Sequence, residues 1–258
     1  MLATKQSNAI SDSVDQGAVV ASAADEVRFL RGRDGVHSLR PSILFDLGEM
    51  VDLRPGQILH DVGHPISSTY FLFGGLVSIT VPDGRSAPVE VLTLGAGDIT
   101  SLPYALSEGK SPHRATVQVS GKAFRVPSRQ LREVLSSQAA MRDEIIEAIN
   151  FQCLYSSYLT ACNARHVIGQ RVSRWLLTAS DQIGRPALPV THNVIAQAIG
   201  VRRAGITNEL KNLQDKDIID ARRGFLTIKD REGLEQCACG CYAAVRAARA
   251  RRPACALV

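Results

Sequence analysis

Residues 191–211, reading THNVIAQAIGVRRAGITNELK, constrain the fold more than any other stretch of the chain. Val194, Ile195, Ala198 and Ile199 fall on one stripe of a 3.6-residue helix. Gly200 then interrupts the pattern, and glycine ends a helix in the left-handed conformation without a Cβ penalty. A second helix follows at once. Ile206, Leu210 and Leu213, spaced i, i+4, i+7, bury one side of it, and a rotation of about 100° per residue sends Ala204, Thr207, Asn208 and Lys211 outward. Arg202 and Arg203 stand at its exposed start. A short helix, a glycine turn and a second helix with a basic first turn is the arrangement that lays one helix in the major groove of DNA, although an ordinary helical hairpin has the same pattern.

The next residues separate the two readings. Residues 217–221 (DIIDA) and 225–228 (FLTI) are short apolar strands joined by Arg222-Arg223-Gly224, which reads as a β-hairpin. A basic hairpin beside a helix-turn-helix is a wing, with Arg222 and Arg223 at its tip placed to reach phosphates. The charge distribution agrees: residues 1–162 hold 14 Lys/Arg against 17 Asp/Glu, whereas residues 163–258 hold 16 against 8. The field that attracts a polyanion is therefore C-terminal. No apolar run approaches the ~20 residues of a membrane span, so no membrane association is expected. The six cysteines, Cys153, Cys162, Cys237, Cys239, Cys241 and Cys255, all lie beyond residue 152. They cannot staple the first half of the chain, and a reduced, cytoplasmic setting is expected.

In chain order, residues 1–38 are rich in Ser, Ala, Asp and Gly without sustained periodicity and read as a mostly disordered arm. Residues 39–137 carry short apolar segments at 57–60, 69–73, 76–81, 89–94, 115–119 and 123–126. Turn residues punctuate them, among them Pro55-Gly56, Gly74-Gly75 and Gly95-Ala96-Gly97. Many short strands at this spacing predict a double-sheet β-roll of the jelly-roll type. The period then becomes helical, with Ser128 as the expected cap of a short helix. Over residues 138–162, Met141, Ile145, Ala148, Gln152, Tyr155, Leu159 and Cys162 form a heptad seam. Such a seam packs on a twin or on the chain's own roll, and Ile146, Ile149 and Cys153 mark a second apolar face on the same helix. Residues 163–242 hold a further amphipathic helix and the winged unit, and residues 243–258 read as a loose basic tail. The fold class is α+β.

A roll, a heptad helix and a winged helix-turn-helix in this order resemble the Crp/Fnr family, the bacterial regulators named after the cyclic-AMP receptor protein and the fumarate and nitrate reduction regulator. The resemblance covers residues 43–242. Its most specific part is residues 191–235, where Ala196, Gly200, Arg203, Ile206 and the closing RGFLTIKDREGLE fall at family positions. Pro55-Gly56, Gly63, Gly75 and Gly97-Asp98 support the roll more weakly. The resemblance implies a homodimeric transcription regulator with the roll as sensor and residues 138–162 as dimerisation helix. Its expected partners are double-stranded DNA with a pseudo-palindromic site, a second copy and RNA polymerase.

Several positions depart from the family. The cyclic-AMP branch holds the ribose with Gly-Glu and the cyclic phosphate with Arg-Ser or Arg-Thr. Here Gly97-Asp98-Ile99-Thr100-Ser101 contains no Glu, and His113-Arg114 precedes Ala115. A cyclic phosphate needs a charge-assisted donor in one fixed place, so no cyclic nucleotide is expected. The iron–sulfur branch uses N-terminal cysteines, which this chain lacks, so no cluster of that kind is expected. The three base-reading positions of the recognition helix match Arg203, Ala204 and Asn208. Arg203 can grip guanine O6 and N7, Asn208 can pair with adenine and the Ala204 methyl can touch thymine. Arg202, Thr207, Lys211, Arg222 and Arg223 are the expected backbone contacts. Glu209 stands where the family is usually apolar.

Catalytic signatures are absent: the sequence has no GxSxG, HExxH, Walker loop or EF-hand spacing, and its six histidines are scattered. A rival reading is a small-ligand or redox and metal sensing module that works through a protein partner. It rests on Cys237, Cys239 and Cys241. Thiols two residues apart on a helix do not face one point, and a metal site there requires local unwinding and a fourth ligand. The expectation is inert thiols and no metal.

Overall fold

Each apolar segment between the turns becomes a strand. The computed structural model describes residues 44, 46–82 and 88–252, all within one unit spanning residues 35–258. The arm expected over residues 1–38 and the end of the tail, 253–258, lie outside the described residues.

Strands β1 (Glu49–Leu53), β2 (Ile58–His60), β3 (Ser68–Leu72), β4 (Leu76–Val81), β5 (Val89–Leu94), β6 (Arg114–Val119) and β7 (Gly121–Pro127) build two antiparallel sheets, ordered β1-β7-β3 and β2-β6-β4-β5. Their facing surfaces enclose Leu53, Tyr70, Leu72, Val77, Leu94 and Val117. Strand alternation sends Phe71, Phe124 and Val126 to the opposite side of the smaller sheet, against the helices that follow. Gly75 makes the tight turn into β4 possible: its φ is +83°, and a Cβ there would lie 2.7 Å from the Val119 carbonyl oxygen. Sequence periodicity missed β1, whose EMVDL is a partly exposed edge strand.

Helix α1 (Ser128–Ser137) begins without a side-chain cap. Ser128 is buried, and its hydroxyl lies 3.5 Å from that of Thr69 on β3, so the expected capping role is corrected. Helix α2 (Ala139–Arg165) carries the heptad seam. All seven seam residues are buried within the protein itself. Met141, Ile145 and Ala148 pack on the small sheet and α1, Gln152 donates to the Ile99 carbonyl at 2.7 Å, and Tyr155 and Leu159 meet Val245. A second copy cannot reach these side chains. The seam is intramolecular, which corrects the assignment of Met141, Ile145, Ala148, Gln152, Tyr155, Leu159 and Cys162 as dimer contacts.

Helix α3 (Ile168–Ile183) ends at Gly184 in the left-handed conformation. After it come β8 (Ala187–Leu188), α4 (His192–Ile199), α5 (Arg203–Asp215), β9 (Ile219–Arg222), β10 (Phe225–Ile228), α6 (Arg231–Cys237) and α7 (Cys241–Ala250). Strand β8 closes the wing into a three-stranded sheet ordered β8-β10-β9. Trp175 is fully buried at the join between this unit and the roll, and its indole N–H donates to Glu90 on β5 at 3.1 Å. Burial raises the Glu90 pKa, against the hydrogen bonds from Ser78, Thr93 and Trp175.

The basic tail is not loose where it is described. Helix α7 packs back on α2. The Arg249 guanidinium donates twice to Asp98, at 2.9 and 3.0 Å, and Arg252 donates to it at 3.0 Å. Both guanidiniums also lie over the Phe151 ring. A carboxylate only 1% exposed draws in the charge that neutralises it, and residues 243–252 are ordered by that demand.

Candidate nucleic-acid interface

Thr191 caps α4 by accepting from the Val194 N–H at 3.3 Å. At Gly200 the backbone turns with φ +71°, and its N–H closes on the Ala196 and Gln197 carbonyls, which aims α5 away from α4. Ile195, Ala198 and Ile199 of α4 and Ile206, Leu210 and Leu213 of α5 enter one core with Trp175, Leu226 and Leu234. The apolar stripe thereby turns the other side of α5 to solvent. Arg203, Ala204, Thr207, Asn208 and Lys211 are all exposed there, with Arg202 at the N-cap.

This face is held ready. The Thr207 hydroxyl donates to the Arg203 carbonyl at 3.2 Å and lies 3.1 Å from His192 Nδ1 on α4. Arg202, Arg203, Lys211 and Arg223 form no ion pair with any other described residue. Their charge is offered to solvent, and Arg202 and Arg203 stand at the N-terminus of α5, where backbone N–H groups also favour anions. On the wing, Arg222 pairs with Asp220 at 3.0 Å, while Gly224 (φ +77°) forms the turn. Gln214 of α5 donates to the Ala221 carbonyl at 3.3 Å and fixes the wing to the helix.

Sequence patterning offered no account of Glu209, and the structure supplies one. A Cβ at Gly169 would lie 2.8 Å from Glu209 Oε2, so the carboxylate rests on the first turn of α3, where the helix dipole favours an anion.

In the roll, the two positions matched to a cyclic nucleotide are engaged within the chain. Arg114 forms a bidentate pair with Asp61, at 2.7 and 2.9 Å, and Asp98 is held by Arg249 and Arg252. Among the described residues no helix is long and apolar enough to cross a membrane.

The cyclic nucleotide-binding domain family matches residues 50–138, and the Crp-like helix-turn-helix domain family matches residues 170–237. Over 175 residues the chain is 22% identical to the global nitrogen regulator of a Nostoc species, an alignment covering 64% of this chain and 78% of that protein. Among solved structures, FixK2 from Bradyrhizobium japonicum is similar with a TM-score of 0.66 at 12% identity, over 74% of this chain and 98% of that one. A CRP/FNR-family transcriptional regulator from Thermus thermophilus gives 0.60 at 20% identity, over 74% and 98%. With the cyclic nucleotide-binding family matched over the roll and the Crp-like helix-turn-helix family over the winged unit, the chain belongs to the Crp/Fnr family of DNA-binding transcriptional regulators, which are not enzymes.

Proposed function

We propose that the protein is a homodimer that reads a pseudo-palindromic DNA site with α5 in the major groove, Arg203, Ala204 and Asn208 touching base edges. Arg202, Thr207, Lys211, Arg222 and Arg223 contact phosphates. The observation that carries this reading is the solvent-facing side of α5 and the adjoining wing, where Arg202, Arg203, Lys211 and Arg223 form no ion pair with other described residues. Substitution of the family's acidic and second basic positions by Ala204 and Asn208 gives the protein a target distinct from that of the named family members.

The dimer forms through the second face of α2, because the heptad seam is consumed within the chain. Ile146 is 45% exposed there, with Leu154, Tyr158 and Cys153 also exposed along the helix, whereas Ile149 packs on the roll and leaves that face. The roll carries the controlling signal to the winged unit through the Glu90–Trp175 bond. It takes no cyclic nucleotide: Arg114 and Asp98 already have partners within the chain. Contact with RNA polymerase belongs to the same reading.

Selection of binding sites from a random DNA pool with the full-length protein tests it. The expected product is a two-fold-related pair of half-sites about one helical turn apart, ~34 Å. Recovery of sequences without symmetry, or no enrichment, overturns the reading.

A further inference from the structure

We propose that Cys162, His166, Cys239 and Cys241 form a site for a single zinc ion that fastens the C-terminal helix to the long helix. Cys162 lies in the last turn of α2 and His166 caps its C-terminus, so the i, i+4 spacing puts both on one face. The other two come from a break that helical patterning could not foresee. Helix α6 stops at Cys237, Ala238 is extended (φ −82°, ψ 158°) and Gly240 starts α7. Cys239 and Cys241 therefore flank a turn instead of diverging along a helix. The unwinding and the fourth ligand that a metal site requires are both present.

The geometry suits one tetrahedral ion. One donor atom from each residue lies within 4.8 Å of all the others. Cys162 Sγ and Cys239 Sγ are 3.4 Å apart, and Cys241 Sγ and His166 Nδ1 are 3.7 Å apart. A zinc ion at its usual ~2.3 Å from sulfur and ~2.0 Å from nitrogen separates its ligands by roughly 3.5 to 3.8 Å along the tetrahedron edges. An iron–sulfur cluster interposes its own irons and sulfides and holds its thiolates farther apart. The three thiols are buried and the imidazole is half-buried, which is the closed character of a structural site.

A second observation points the same way. Arg174 is 3% exposed, and its Nε and Nη1 have no hydrogen-bond partner; Arg171 Nε has none either. The Arg174 charge acts on Cys162 and Cys241 as well as on Glu90. A buried guanidinium with unmet donors, as at Arg174, calls for negative charge nearby. Three thiolates around Zn²⁺ leave a net single negative charge, and their sulfurs accept N–H bonds. Between His166 and Cys239 the chain carries α3 to α6 and the wing, so the ion would close the two ends of the winged unit on each other.

Full-length protein, purified without chelator and under reducing conditions, provides the test. Elemental analysis should find about one zinc per chain, and after stripping, Co²⁺ titration should saturate at one equivalent with thiolate-to-metal charge-transfer absorption. Cys162→Ser and Cys239→Ser should each lose most of that absorption, while Cys153→Ser and Cys237→Ser keep it. Because a ligand variant can misfold, the wild-type stoichiometry stands as an independent readout. The proposal is overturned by sub-stoichiometric zinc after refeeding, by Co²⁺ binding that survives Cys162→Ser/Cys239→Ser, by iron–sulfur absorption in anaerobically prepared protein, or by a Cys162–Cys239 disulfide in place of the metal.

Discussion

Arg203 is the first residue of α5 and faces solvent, so removing it should act on base reading. Arg203→Ala is expected to cost ~1 to 3 kcal/mol on the selected site and to relax preference at one base pair. Arg222→Ala should weaken specific and random DNA alike and flatten the salt dependence. Fluorescence anisotropy at several salt concentrations separates the two, and equal losses for Arg203→Ala would remove its base-reading role. The exposure of these residues was legible because it follows from a local 3.6-residue period. The placement of Glu209 was not, since its partner turn is some forty residues away. His60 was equally opaque. It is buried 3.1 Å from the Ser101 hydroxyl, and its pKa falls from 6.5 to about 4, chiefly through burial, then through His113 and against Asp61. As pH drops from about 6.5 to about 4, the unfolded chain takes up a proton that the folded one refuses. Stability should fall by ~3 kcal/mol over that window. Chemical denaturation from pH 7 to 4 should show a smaller loss in His60→Gln than in the wild type, with the part due to the buried His113 remaining.

At the level of elements, α2 holds the clearest contrast. Adjacent residues on its two faces should behave in opposite ways. Ile145, 2% exposed against the roll, should lose ~2 to 5 kcal/mol on replacement by Ala, because a cavity opens in a packed core. Ile146→Asp should leave folding stability within ~0.5 kcal/mol and convert a dimer to a monomer in light scattering. A monomeric wild type at micromolar concentration would refute the dimer. The seam was visible in the sequence, but a heptad shows only that a stripe is covered, and it is silent on what covers it. The strands that periodicity found are those with strong apolar alternation. Those it missed, β1 and β8, are an edge strand carrying Glu49 and Asp52 and a two-residue pairing that exists only because β10 passes beside it.

Over the whole molecule, part of the C-terminal basic excess is spent internally. Arg231 pairs with Asp181 and Glu235, Arg246 with Glu235, and Arg249 and Arg252 with Asp98. Counting charges along the chain could not tell these from the arginines that face outward. Arg249→Ala/Arg252→Ala would strand a buried carboxylate and should cost ~3 to 5 kcal/mol in denaturant unfolding. Adding Asp98→Ala should recover part of that loss, and no recovery would show that the two arginines act by packing on Phe151 instead. The return of α7 to the roll has a geometric consequence. The winged unit meets the rest of the protein where α2 leads into it, where Trp175 joins Glu90 on β5, and where the chain leaves it after Cys237. A body pinned at two points keeps a single rotation about the line that joins them, and a third contact off that line removes it. The Glu90–Trp175 contact thereby fixes the orientation of Arg203 relative to the roll, and its loss would return one arc of swing to the recognition helix.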